Sequence, residues 1–291
     1  MARDTAASPV TVPETWVVEP VGHGAAAALR EMWRYRRLLS FFAIQSIQDL
    51  YKGTTLGIFW LFARPLFPIL IGTFVFGSLL QISSDGLPYF LFFLSGMSVW
   101  TLFDRSLLWV TRSLEQERDL IKKLYFPRLI VPISSVAPAM VYFGIYVTLI
   151  ILAGFYFLAT TGRWYLPVGP GWLIAIGAAF LGIAIAIAVG LFTTVWQTRH
   201  KDVRFGLRYF TSFWFYLTPV IYPMSAVPPD RQWIIYLNPM SSVVETFKWG
   251  LLGVGQLPVG PLLTSLALTI VTGTAGVWYF NKSEAASVDD M

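Results

Sequence analysis

Residues 172–196 read WLIAIGAAFLGIAIAIAVGLFTTVW, without one Asp, Glu, Lys or Arg. A helix needs about 20 apolar residues to cross roughly 30 Å of hydrocarbon. This stretch is long enough, and it offers no polar face to water. Small residues recur along one helical stripe, at Ala175, Ala179, Gly182, Ala186 and Gly190. That spacing lets another helix approach closely inside a membrane.

Five further windows of similar character flank it, at about 58–80, 89–110, 130–159, 205–222 and 262–280. The whole chain agrees with them. It has 291 residues, of which 56% are hydrophobic and 13% charged. A soluble domain carries about 25% charged residues, so half that leaves too little polar surface to wet one. A disordered chain, a coiled coil, a disulfide scaffold and a soluble enzyme all fit poorly. The expected fold is an all-α polytopic membrane protein with six transmembrane helices.

Arginine and lysine set the orientation. Fifteen fall before the first window, between the second and third, between the fourth and fifth, or after the last. Three, Arg163, Arg231 and Lys248, fall on the other side. Both termini are therefore expected in the cytoplasm, and no signal peptide is expected at the start. The net charge of +5 becomes a topology signal, and nucleic acid loses its support as a partner. Arg64, Arg105 and Arg208 lie in or near spans and belong to neither count.

Three segments outside the spans carry pattern. Residues 1–24 read as a flexible tail. Residues 25–55 read as an amphipathic interface helix, with Leu39, Phe42, Ala43, Ile47 and Leu50 opposite Gln45, Gln48, Asp49 and Lys52. Its Arg34, Arg36 and Arg37 suit anionic headgroups; a plain basic anchor is the simpler reading. Residues 113–127 read SLEQERDLIKKLYFP, a charged helix closed by Pro127. Such a helix at the cytoplasmic face suits a soluble partner, and a solvated connector is the alternative.

The outward connection 223–261 is too apolar for a solvated loop. Its prolines divide it into two pieces of roughly ten residues. Irregular backbone at membrane depth must be buried in protein or line a wet cavity. Two short re-entrant outer helices within 228–253, turning at Asn238-Pro239, satisfy that rule. Glu245 and Lys248, three residues apart, are placed to pair.

Chemical constellations are few. Cysteine is absent, which removes disulfides and thiolate chemistry. The two histidines, His23 and His200, make no metal cluster. No GxxxxGK[ST] phosphate loop occurs, so hydrolysis of ATP by that route is not expected of this chain. Asp104 and Arg105 fall inside the second span, where charge is a functional signal by default. They point about 100° apart and are expected to have separate partners.

The order of several motifs resembles the membrane subunit of ABC-2 type polysaccharide exporters, which include O-antigen, teichoic acid and cell-wall galactan exporters. The resemblance rests on QDLYKGTTLGIFW (48–60), LIKKLYFPRLIVP (120–132), KDVRFGLRYF (201–210), TPVIYP (218–223) and NPMSSVVETFKWGLLG (238–253). It covers residues 30–282. That family commonly has Arg-Asp where this chain has Gln48-Asp49 and Lys201-Asp202, and Arg at the place of Lys248.

The resemblance implies a homodimer in the bacterial inner membrane, with two ATPase subunits that bind ATP and magnesium. Their cargo would be a lipid-linked polysaccharide, and this chain would carry no cofactor and no catalysis. Residues 56–282 would form the six-span domain, and 283–291 a cytoplasmic tail. Aromatics of the first and fifth spans, Trp60, Phe67, Phe213, Trp214 and Tyr216, would line the channel; packing against lipid is the simpler reading of each. Glu115, Glu117, Arg118, Asp119, Lys122 and Lys123 would couple to the ATPase. Trp233, Tyr236, Asn238, Glu245, Phe247 and Lys248 would form the outer gate. Export of a small lipid or drug, or secondary transport using Asp104, are the competing readings.

Overall fold

The computed structural model describes residues 30, 32–50, 52, 58–121, 123 and 126–288. The expected tail 1–24 and Lys122 lie outside them. Every described element is helical. Helix α1 spans Arg36–Asp49, and α2 spans Ile58–Gly72, running on as π-helix over Thr73–Leu79. Helix α3 spans Tyr89–Gln116, followed by the single turn α4, Arg118–Ile121. Then come α5 (Ile130–Ser134), α6 (Ala137–Thr161), α7 (Gly171–Arg199) and α8 (Val203–Tyr216). The short α9 (Gln232–Tyr236), α10 (Pro239–Leu252) and α11 (Val259–Val288) complete the chain.

Four helical segments are long and apolar enough to cross a bilayer: Phe59–Leu79, Ile130–Thr161, Gly171–Arg199 and Val259–Ser283. They match four of the six expected windows. The second window opens α3, which is long enough to span at about 1.5 Å per residue but carries Asp104, Arg105 and Arg112. The fifth differs from expectation. Helix α8 stops at Tyr216, giving roughly 21 Å of length. Pro219 ends it, because proline cannot donate the next helical hydrogen bond.

The packed centre is built on α7. Its small-residue stripe is buried: Ala175, Ala179, Gly182, Ala186 and Gly190 all face inward. Gly190 lies against Val110 and Leu107 of α3, and Gly182 against Val243 and Met240 of α10. At the crossing of α7 and α10, Gly171 meets Gly250 backbone to backbone; a Cβ on Gly171 would stand 2.7 Å from the Gly250 oxygen. Hydroxyls lock the α3–α7 seam. Thr111 and Thr193 share a 2.6 Å hydrogen bond, and Thr194 Oγ1 donates to the Val110 carbonyl at 2.8 Å. In a membrane such bonds replace the missing hydrophobic drive between helices.

Two expectations about connections are corrected. The charged segment 113–127 is not one separate helix: Ser113–Gln116 are the last residues of α3, which breaks at Glu117. The helix pair expected within 228–253 is unequal, five residues in α9 and fourteen in α10. Asn238 caps α10 by accepting from the Met240 N–H at 2.9 Å, and Pro239 takes the first helical position. Gly253, at φ 68, closes it in the left-handed conformation. Helix α11 continues to Val288, into the segment expected as a tail; residues 289–291 lie outside the described residues.

Candidate functional site

Helix α1 lies on the start of α5. Phe42 is fully buried against Phe126, Ile130 and Val131. Phe41 and Ile44 remain exposed beside the exposed Arg34, Arg36 and Arg37, an arrangement suited to a membrane surface. Lys52 pairs with Asp49 at 2.6 Å.

Beyond α1, a cavity of about 880 Å³ opens between α2, α3, α6 and α8. Its aromatic wall includes Trp100, Trp109, Tyr142, Tyr146, Phe215 and Tyr216. Asp104 and Arg105 both reach it. The Arg105 guanidinium lies 3.8 Å over the Tyr142 ring, and Asp104 faces Thr211, Arg105 and Arg208. Arg64, Arg112 and Arg204 line the same space.

Of the five expected channel residues, Tyr216 lines this cavity. Trp60, Phe67 and Phe213 lie on exposed faces of α2 and α8, with Phe213 73% exposed. Trp214 turns into the protein. Its ring packs on Phe103 and Phe210, and its Nε1 donates to Asn238 Oδ1 at 2.7 Å. It is a tie between α8 and the cap of α10.

The turn after α8 is a knot of polar ties. Asn238 Nδ2 donates to Thr218 Oγ1 at 2.8 Å, and the Tyr89 hydroxyl donates to the Ile221 carbonyl at 2.7 Å. Lys248 feels the charge of Glu245, as their spacing predicts, but its close contacts lie elsewhere. Its ammonium is buried, donates to the Pro219 carbonyl at 2.6 Å and the Val220 carbonyl at 3.3 Å, and lies 3.6 Å from the Phe92 ring centre. These carbonyls lie past the end of α8, and the ammonium supplies the donors they need. Glu245 lies close to the Met224 backbone as well as to Lys248. Phe247 is buried against Phe143, Tyr236 is half-buried and Trp233 is exposed.

At the C-terminal end of α3, Glu115 turns back onto the bundle. It accepts from Gln197 Nε2 at 2.8 Å and sits 3.8 Å from Arg204 Nη1. Glu117 is half-buried, while Arg118, Asp119 and Lys123 are exposed. The sequence singled out neither Arg64 nor Arg208 for a role. Their signal was a guanidinium in an otherwise apolar span. Their meeting with Arg105 needs the tertiary fold.

Known proteins resemble this chain over most of its length. The chain is 24% identical over 248 residues to the O-antigen export system permease protein RfbA of Myxococcus xanthus, covering 84% of this chain and 91% of that one. It is 27% identical over 241 residues to a Klebsiella pneumoniae protein of the same name, covering 80% and 86%. A second Klebsiella pneumoniae protein matches at 27% over 239 residues. Residues 37–252, from α1 to the last residue of α10, match the ABC-2 type transporter family, and the chain belongs to that family.

Proposed function

We propose that this chain is the membrane half of an ATP-driven exporter that moves a lipid-linked polysaccharide out of the cytoplasm. The relatives named above are O-antigen export permeases, and the chain lacks a phosphate loop of its own. Energy then comes from a separate ATPase subunit docked near Glu117, Arg118 and Asp119. Six crossings with cytoplasmic termini follow from the arginine and lysine asymmetry. In that arrangement α3 and α8 complete the set, α1 lies on the inner face, and α9 and α10 enter from the outside.

The observation that carries this reading is the aromatic cavity beside α2 and α8. Those two helices leave their outer faces bare, with Phe59, Phe67, Phe74, Tyr209, Phe213 and Tyr216 exposed. A second copy would cover those faces and close a path between the subunits. Aromatic rings pack on the apolar faces of sugars, and each such contact is weak enough for a long glycan to step past it.

The test is a deletion of the coding sequence, restored by the chain with or without its ATPase. Surface polysaccharide is expected to disappear and its lipid-linked precursor to collect inside. Restoration is expected only with both subunits. Normal surface polysaccharide in the deletion overturns the proposal, as does accumulation of a small lipid or drug with polysaccharide unchanged.

A further inference from the structure

The two bare walls, α2 and α8, end in different ways. The turn after α8 is fixed. The Tyr89 hydroxyl of α3 and the Lys248 ammonium of α10 bond to its carbonyls at Ile221, Pro219 and Val220, and Thr218 and Val220 are fully buried. The end of α2 is held more loosely. Its continuation, the seven-residue π-helix Thr73–Leu79, has no buried residue, and Phe74, Leu79 and Leu80 are exposed.

A π-helix closes each turn with an i→i+5 bond; it is rare and frequently marks a functional site. The Leu80 N–H continues the pattern, donating to the Val75 carbonyl at 2.9 Å. Two features show tension in this form. Thr73 Oγ1 is buried without a hydrogen-bond partner. Thr148, Thr160 and Thr194 each donate to the carbonyl four residues back, as threonines in an α-helix do. Gln81, just past the π-helix, holds φ 50, a left-handed conformation costly for such a residue. Two glycines give the segment room to roll over α3. Gly72 lies against the Phe93 ring, and a Cβ on Gly77 would stand 2.8 Å from the Tyr89 Cβ. At both contacts a ring of α3 meets bare backbone, and Phe76 adds an edge-on contact to Phe93.

An exposed tie joins this loose end to the fixed turn. Ser225 Oγ donates to Asp85 Oδ1 at 2.6 Å, with both residues at the surface. Asp85 stands at φ 52, which aspartate tolerates better than most residues. Water can replace a bond of this kind, so breaking it costs little. The buried ties of the turn have no such substitute.

We propose that the end of α2, from Thr73 through the 80–88 connection, is a movable leaf at the mouth of the path. The π-helix is its hinge, and Asp85 with Ser225 is the latch that holds it shut. The resemblance puts an outer gate in α9 and α10, but eleven of the fourteen residues of α10 are buried. Helix α10 is the post against which the leaf closes. Dropping one residue from the π-turn rotates the chain beyond it by about 100°, which carries Asp85 off Ser225. The proposal rests on the export reading only for what passes the leaf.

The chain has no cysteine, so thiols placed at the latch stand alone. The test uses the full chain assembled with its ATPase and carrying Asp85→Cys and Ser225→Cys together. A short bifunctional thiosulfonate links the two thiols, and reductant releases them. The linked fraction is expected to fall at least about threefold between the nucleotide-free complex and the complex held with ATP and vanadate. In cells, linking is expected to cut export of surface polysaccharide at least about tenfold, and reductant to restore it. Either cysteine alone, treated the same way, exports normally. Removing Ser78, an exposed residue of the π-helix, is expected to lower the linked fraction in both states. A Ser242→Cys/Ser265→Cys pair, whose native oxygens lie 2.8 Å apart in the packed centre, still oxidises to a disulfide in that variant when the bundle is intact. Equal linked fractions with and without nucleotide overturn the latch, as does export that continues through the linked pair. Linking unchanged by removal of Ser78 refutes the hinge. A nucleotide-dependent latch in a chain whose gene deletion leaves surface polysaccharide normal removes the export reading alone. Loss of polysaccharide in the gene deletion, with free export through the linked pair, removes the latch alone.

Discussion

Helix α10 and helix α8 have the same length, fourteen residues, and opposite characters. In α10 eleven residues are buried, polar ones included; in α8 only Leu207 and Thr211 are. The helix that reads as an outer loop is therefore scaffold, and the helix that reads as a span is a loosely held wall. Burial in α10 comes from backbone contact with α7 and from hydroxyls satisfied nearby, such as Ser242 Oγ donating to Ser265 Oγ at 2.8 Å. The wall has few partners within the chain, as expected of a surface that another subunit or lipid covers.

The same substitution placed in each helix tests this contrast most severely. A Cβ on Gly250 would run into the Gly171 oxygen and stand 3.0 Å from the Ala175 Cβ. Gly250→Ala is expected to cost at least the ~1–3 kcal/mol of ordinary overpacking. Gly206 in α8 has nothing within 4 Å of a Cβ. Gly206→Ala is expected to gain up to about 1 kcal/mol through helix propensity. Thermal unfolding of both variants in one detergent reads the signs. Equal losses would erase the distinction between scaffold and wall.

Lys248 sharpens it at the joint between the two regions, where α10 holds the turn that ends α8. Lys248→Met leaves the Pro219 and Val220 carbonyls without their donor. An unsatisfied buried polar group costs about 1–3 kcal/mol, and the outer end of α8 should loosen. Lys248→Arg keeps donors there and is expected to retain export. Limited proteolysis at residues 217–231 reads the loosening, and equal protection in wild type and Lys248→Met would show the tie to be unimportant.

Neighbouring aromatics make a third, smaller test. Trp214→Phe removes the bond to Asn238 and is expected to cost about 0.5–1.5 kcal/mol. Phe213→Ala, on the exposed face, should change stability by less than about 0.5 kcal/mol and lower export. A stability loss from Phe213→Ala that exceeds that from Trp214→Phe would reverse their assignments.

The sequence was most legible where one physical term dominated. Residues 172–196 are uniformly apolar, so both their span and their small-residue seam could be read directly. Helix α3 was legible at its start and not at its end, because its last turn is charged and looks like a connector. Helix α10 was read as a dipping element, but its burial was hidden by Ser241, Ser242, Thr246 and Lys248. Those residues look solvent-seeking one by one; Ser242 and Lys248 bond to groups more than 20 residues away, and Ser241 and Thr246 are buried without a hydrogen-bond partner. The arginine cavity was visible as three anomalies, and only the packing of four helices brings them together.

Helix α1 falls between the two regions, and a small pH effect decides which it joins. Glu117, just past α3, faces Asp49 of α1 across a cleft that Gln45 and Ser46 also line. Burial pushes the Glu117 carboxyl above its ordinary value of 4.5, and the Asp49 charge pushes it further. The folded chain therefore keeps a proton that the unfolded chain has released. The associated stability is present below the ordinary value and is lost as pH rises through the raised one. Lys52, paired with Asp49, tempers the effect, and solvent screens a half-exposed group. Glu117→Gln resembles the protonated form and removes this dependence. Melting temperatures from acid to neutral pH are expected to fall slightly more for the wild type than for the variant. A divergence that vanishes when Asp49→Asn is added ties α1 to the packed scaffold through this cleft. Parallel profiles for wild type and Glu117→Gln would mean that the two carboxylates do not meet in solution, and α1 would then rest on Phe42 and the membrane surface alone.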